Sequence, residues 1–270
     1  MSSIRAVWIL FWFFLVTGLL MPVQWLFIKL RLPFAKWLPH YYHRFVAWLM
    51  GLRIHVDGVV QNNKPTLLVA NHISWLDIVV FTAITPLSFV AKQEINNWPG
   101  VKRLARLQQT IFVDREKRST ALKSAQEIAE RIENGDVIVL FPEGTSSDGN
   151  RVLEFKSSLF AAASAADGAT QVQTLAIAYT GMGGIPLGRR SRPLVAWYGN
   201  MEMAGHVWNL LNAGPLDVHV RIGEPVLLSE IGDRKALAQM TQTAIRDDMA
   251  ELLSLRPFET RREHPAKEAG

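Results

Sequence analysis

From Ala6 to Ile28 the chain reads AVWILFWFFLVTGLLMPVQWLFI, without one charged side chain. About 20 consecutive apolar residues suffice to cross the hydrocarbon core of a bilayer. A single segment in that medium can satisfy its backbone polar groups only as a helix. The stretch therefore predicts an N-terminal membrane-anchoring helical segment. A cleaved signal peptide would have a shorter apolar region and a small-residue cleavage site, and neither is evident. Pro22 interrupts the pattern and would kink the helix or split it in two. The segment would then either span the bilayer or dip into one leaflet and return. Lys29, Arg31, Lys36 and Arg44 follow it, against Arg5 alone before it. Positive charge stays cytoplasmic, which places the rest of the chain in the cytoplasm.

Residues 30 to 50, LRLPFAKWLPHYYHRFVAWLM, mix basic groups with aromatic ones, as an interfacial helix does. His40 and His43 lack an acidic or thiol neighbour and read as interfacial residues rather than a metal pair. The net charge of +5 suits an anionic partner, whether nucleic acid, an acidic protein or a membrane surface, and the nine tryptophans favour the membrane. The chain has no cysteine, which excludes disulfides, thiolate metal sites and a cysteine nucleophile.

Beyond Gly51, short β-rich runs appear at RIHV, TLLVA, LSFVA, TIFV, VIVLF, TLAIAY, PLVAWY and VHVRI. Helical stretches separate several of them, notably Ser119 to Asn134, with Gly135 as a stop, and Arg234 to Leu255. Continuous apolar runs alternating with helices predict an α/β fold, a mostly parallel or mixed sheet covered by helices. The organisation read from this is residues 1–50 as anchor and interfacial helix, 51–257 as one α/β domain, and 258–270 as a polar tail.

At the end of TLLVA comes NHISWLD, Asn71 to Asp77. His72 and Asp77 lie five apart and would point about 140° away from each other on one regular helix. They meet if His72 precedes the helix and Asp77 sits in its first turn. A plainer reading is that Ser74 and Asp77 form a helix-capping arrangement and His72 is a loop residue. Two further polar clusters follow apolar strands. FPEGTSSDG, Phe141 to Gly149, follows VIVLF, and Asp114 with Arg115 follows TIFV. Glu143 and Arg115 could each be a solvated surface group, yet three such clusters at three strand ends should line one edge of one sheet, where open α/β sheets bind ligands.

Together these clusters resemble the glycerolipid acyltransferases. NHISWLD matches the family's Asn-His-x4-Asp block, IFVDR looks like the second block and FPEGTS like the third, with the likeness running from about residue 50 to 225. The resemblance implies a membrane-bound transfer of a fatty acyl group from acyl carrier protein or coenzyme A to a lysolipid hydroxyl. It implies His72 as general base, Asp77 as its orienter, and Arg115, Glu143, Gly144 and Thr145 as acceptor contacts. Lys92, in FVAKQE, matches a family lysine with an anion-stabilising role. No metal or cofactor and no nucleic acid is expected, and the bacterial members that this chain resembles imply the inner membrane. The acceptor expected first is 1-acylglycerol-3-phosphate. Two departures bear on it. Members acting on phosphate-bearing acceptors often carry arginine where this chain has Ser146, and the fourth block, TLAIAYTG, has Ala176 and Ala178 where a proline is usual. FPEGTSSDGNRV looks more like relatives that acylate lyso-ornithine lipid, which stands as the alternative.

Acyl transfer from a thioester needs no protein nucleophile. A neutral imidazole can take the proton of the attacking alcohol, worth roughly 10²–10⁴-fold, and backbone N–H groups at the helix start after His72, with Lys92, would receive the negative oxygen. The basic runs at 101–106, 115–118 and 188–192 could meet an acidic donor. Rival readings are weaker. Gly-x-Ser-x-Gly and a Walker loop are absent. GMGGIPLG, 181–188, is followed by RRSRP and not by a helix. A non-catalytic lipid-binding protein would not need the His72/Asp77 pair.

Overall fold

The structure is a computed structural model that describes residues 2–61, 63–98, 100–113, 118–161, 163 and 170–254. Two helices come first, α1 (Ser2–Lys29) and α2 (Phe34–Met50). Strands β1 (Leu52–Asp57) and β2 (Thr66–Ala70) lead to α3 (Leu76–Ile84), β3 (Ser88–Lys92), α4 (Val101–Leu107) and β4 (Ile111–Val113). Then follow α5 (Arg118–Glu133), β5 (Ile138–Leu140), β6 (Gln171–Met182), β7 (Ile185–Pro186) and α6 (Met203–Ala213). The series closes with β8 (Leu216–Ile222), β9 (Val226–Leu227), α7 (Leu228–Ile231) and α8 (Arg234–Leu253).

The strands form one mixed sheet in the order β1-β8-β6-β2-β5-β3-β4, with β7 and β9 pairing with β6. β6, β2, β5, β3 and β4 run parallel, and β8 with β1 runs against them. Every residue of β2 and β5 is buried, as continuous apolar strands covered on both faces must be. β8 alternates buried and half-buried residues toward the β1 edge. Helix α8 packs on β6, α5 on β4, and α2 on α3. The expected mixed α/β sheet behind an apolar helical segment is therefore present.

Several details differ from the sequence expectation. α1 runs unbroken through Pro22, and the chain reverses only after Lys29, where Arg31 adopts a positive φ of 53°. His40 and His43 are turned inward: the His40 ring meets the Thr82 carbonyl at 2.8 Å and the His43 ring meets Pro39 O at 2.7 Å. Both therefore belong to the packing of α2 and not to an interface. PLVAWY is no strand. Its first residues form a short 3-10 turn, and Val195 and Ala196 are apolar because they are fully buried beneath a loop. The glycine-rich GMGGIP is the β6–β7 hairpin, with Gly183 and Gly184 both at positive φ. The polar tail 258–270 lies outside the described residues.

Both ends of α1 are fastened to the α/β domain. The Arg5 guanidinium donates to the Leu211 and Met50 carbonyls, at the ends of α6 and α2. Gln24 Nε2 donates to Ala35 O at 2.8 Å and to Leu107 O at 2.9 Å. Ala6 and Ile9 are buried against this contact while Trp8, Phe11, Phe14, Leu19 and Trp25 face outward.

The carboxyl end of β2 is set by a side chain that imitates backbone. Asn71, wholly buried, donates from Nδ2 to Ile177 O (3.0 Å) and accepts from Ile177 N (2.8 Å). This clasp continues the β2–β6 pairing past the last ladder residue and holds the next residue, His72, at the sheet edge. Asn71→Ala leaves a buried N–H and C=O unpaired, each costing about 1–3 kcal/mol. Circular-dichroism-monitored urea unfolding in detergent should show a loss of about 2–6 kcal/mol. An unchanged midpoint would mean that the clasp contributes nothing.

Candidate active site

Parallel pairing brings the polar clusters to one edge. Val69 of β2 is in register with Leu140 of β5, so His72 and Glu143, each three residues further on, emerge level with one another. Lys92 ends β3, paired with Val113 at the end of β4. Arg115 lies just beyond, outside the described residues.

His72 sits in the turn before α3 and Asp77 in its first turn, and they meet: Nδ1 of His72 is 2.8 Å from Oδ2 of Asp77. A carboxylate only accepts, so Nδ1 carries the proton, and in the neutral ring Nε2 is left as a base. The same Oδ2 accepts the backbone N–H of Ile73 (2.7 Å) and Ser74 (3.0 Å). Oδ1 accepts the Tyr179 hydroxyl at 2.7 Å. Asp77 has no exposed surface, and such a buried carboxylate is tolerable only with donors of this kind. Burial, and then the Asp77 charge, push the Tyr179 hydroxyl well above its ordinary pKa, which keeps it protonated and donating. The capping and dyad readings thus describe one carboxylate. The Ser74 hydroxyl takes no part, being buried without a partner among the described residues. The imidazole lies against Phe141 with ring centres 4.2 Å apart, and Phe141 stacks on Phe89 at 6.0 Å.

Glu143 does not face a ligand space. It is 1% exposed, and its two oxygens accept the N–H of His72 (3.0 Å) and of Leu153 (3.1 Å). The expectation of an acceptor contact gives way to a structural task, holding the His72 backbone. Its neighbours Pro142 and Gly144 form the turn that aims it, closed by Gly144 N to Phe141 O at 3.2 Å, with Gly144 at φ 70° where a side chain would be strained. Ser147 N donates to His72 O at 2.8 Å and Trp197 N donates to Ile73 O at 3.0 Å. The Ser146 hydroxyl donates to the Trp197 carbonyl. Three loops are thereby clipped together around one histidine.

His72 lines a cavity of ≈ 800 Å³. Lys92, Gly144, Thr145 and Ser146 share its wall, while Asp77 and Glu143 lie behind it. The remainder is mostly apolar and comes largely from α1, α2, α4 and α6, with Phe13, Val46, Leu104 and Leu211 among the lining. The N–H groups of Ile73 and Ser74, expected to receive an oxyanion, are already occupied by Asp77. Among the described residues no group of three His, Asp or Glu side chains could hold a metal ion.

Sequence reasoning missed Tyr179, the Asn71 clasp and the Trp197 loop. For Tyr179 a signal existed: a hydroxyl closing the otherwise aliphatic run TLAIAY needs a buried partner.

Burial pushes the Glu143 carboxyl up to about 7, against the lowering effect of its two backbone hydrogen bonds. A carboxyl whose folded pKa exceeds its unfolded value stabilises the fold fully below the unfolded pKa, and this contribution falls as pH rises through the folded one. From about 4.5 to about 7 the contribution should therefore decline, by roughly 3 kcal/mol at most. Thermal midpoints taken from pH 4.5 to 8 should fall more steeply in the wild type than in Glu143→Gln. Parallel curves would refute this.

The chain is similar to several known proteins. Residues 52–180 match the family model described as Acyltransferase. The chain is 47% identical to a lyso-ornithine lipid O-acyltransferase of Brucella abortus, over 84% of this chain and 87% of that one. It is 41% identical to one of Rhizobium meliloti, over 93% and 88%. Similarity to the 1-acyl-sn-glycerol-3-phosphate acyltransferase of Neisseria meningitidis is 31%, over 71% and 72%. The crystal structure of the 1-acyl-sn-glycerophosphate acyltransferase PlsC from Thermotoga maritima superimposes with a TM-score of 0.66 at 22% identity, covering 95% of this chain and all of that one.

Proposed function

The chain belongs to the acyltransferase family, an enzyme of the lysolipid type, and from that premise we propose that it acylates the hydroxyl of lyso-ornithine lipid. The carrying observation is His72, in the wall of a mostly apolar cavity, held from behind by Asp77. The first expectation, 1-acylglycerol-3-phosphate, is supported less: the relatives at 47% and 41% carry the lyso-ornithine name, and the phosphate-acceptor relative stands at 31%.

In the proposed reaction the acyl chain of the thioester lies in the cavity, where each buried methylene contributes about 0.8 kcal/mol. Nε2 of His72 takes the proton of the acceptor hydroxyl as its oxygen attacks the thioester carbon, and Asp77 stabilises the imidazolium. The negative oxygen meets the backbone N–H groups of Thr145 and Ser146, two residues of the cavity wall whose N–H groups have no acceptor among the described residues. Collapse breaks the carbon–sulfur bond, and the leaving thiolate regains the proton from His72. Acyl carrier protein and coenzyme A both fit this scheme as donor. Arg115, two positions after Val113 in the sequence, would contribute an acceptor contact.

We place the anchor in one leaflet of the inner membrane, with the α/β domain on the cytoplasmic side. Arg5 and Gln24 are about 28 Å apart along α1 at 1.5 Å per residue, yet both touch the domain. A spanning α1 would pull that domain into the hydrocarbon. In spheroplasts, cysteines introduced singly at Ser3 and Ser254 into this cysteine-free chain should both resist an impermeant maleimide until the membrane is opened. Labelling of position 3 alone from outside would establish a span.

Thioester consumption with purified protein tests the chemistry. Lyso-ornithine lipid should be preferred over lysophosphatidate. His72→Ala should lower turnover at least 10³-fold, and Asp77→Asn should lower it steeply while the protein stays folded. Wild-type preference for lysophosphatidate would reinstate the other acceptor, and turnover by His72→Ala would end the mechanism.

A further inference from the structure

Beside His72 the cavity wall carries two tryptophans from separate loops. Trp98 follows β3, and Trp197 lies in the buried loop before α6. Their ring centres are 5.9 Å apart and their planes meet at 83°. Both line the cavity, with Tyr198 next to Trp197. Trp197 is fixed on three sides, its N–H on Ile73 O, its carbonyl on the Ser146 hydroxyl and its indole N–H on Met201 O at 3.0 Å. Two indoles at right angles form a corner whose faces carry negative quadrupole potential, an arrangement that attracts an organic cation.

The same wall holds Lys92 and Glu94, two positions apart on the segment leaving β3. Both are exposed, and among the described residues neither forms an ion pair with the other or with any third group. An ornithine headgroup joined to a lipid through one amine presents one ammonium and one carboxylate. A phosphate monoester presents only negative charge. The position that carries arginine in many phosphate-acceptor enzymes is here Ser146, and its hydroxyl is engaged in holding the Trp197 loop.

We infer that the Trp98–Trp197 corner with Glu94 receives the headgroup ammonium of the acceptor while Lys92 receives its carboxylate, so that this wall selects a zwitterionic lysolipid. The inference rests on the acceptor reading above and adds the residues that enforce it. Cation–π contacts and a facing carboxylate discriminate between charged and neutral forms by about tenfold.

The test compares two acceptors: lyso-ornithine lipid, and the same lysolipid with its headgroup amine acetylated. The wild type should prefer the free amine about tenfold in kcat/KM. In Trp98→Leu and Trp197→Leu, which keep an apolar side chain, that preference should collapse toward one. Glu94→Gln, an exposed change that leaves the packing intact, should halve it or more. A preference retained in all three variants, or an equal loss with both acceptors, overturns the inference while leaving the acceptor reading in place. A wild type that acylates lysophosphatidate in preference to both overturns the acceptor reading, and this inference falls with it.

Discussion

A carboxylate removed from water is costly unless donors surround it, and around Asp77 four converge: an imidazole N–H, two backbone N–H groups and a phenol. Each donor comes from a different structural need. The backbone groups close the turn that links β2 to α3. The phenol ties that turn to β6. The imidazole is the remaining donor, so the ring orientation proposed for catalysis is also the one that completes a buried ion's shell. Stability and chemistry are coupled through one side chain, and a helix-capping role does not compete with an orienting one.

The sheet makes this shell possible. Asn71 extends the β2–β6 pairing by a side-chain clasp, and Glu143 beyond the end of the neighbouring strand takes the N–H of His72. The histidine backbone is thus gripped from both sides before its side chain is considered. The apolar anchor also belongs to the site. α1 and α2 supply wall residues of the cavity that His72 lines, so the segment most suited to a membrane is continuous with the space proposed for the acyl chain. A chain entering from the bilayer would not need to cross water to reach the base.

How much of this could be read from residues follows from range. The alternation of apolar strands and helices is local, and β2, β5 and β8 fell where TLLVA, VIVLF and VHVRI predict. The dyad was legible because both members lie on one short segment. PLVAWY misled because a buried apolar run looks alike in a strand and in a loop. Pro22 misled because a helix held at both ends by neighbouring elements tolerates one lost hydrogen bond. Tyr179 and Asp77 are separated by 102 positions, and no local pattern announces that their side chains meet.

Ser146 shows the same limit at the level of specificity. As a letter it was an absence, an expected arginine not found, and it left the acceptor open between two lipids. In the fold it is a presence, because its hydroxyl reaches the Trp197 carbonyl 51 positions away. Replacing an arginine by a serine there does more than delete one positive charge. In the proposed reading the position carries no group that would repel an ammonium, and its hydroxyl ties down the loop whose indole an ammonium would favour. Among the described residues of the wall, Lys92 and Glu94 offer one charge of each sign, which in the proposed reading complements the two poles of a zwitterion. The proposed acceptor thus rests partly on what the serine holds in place.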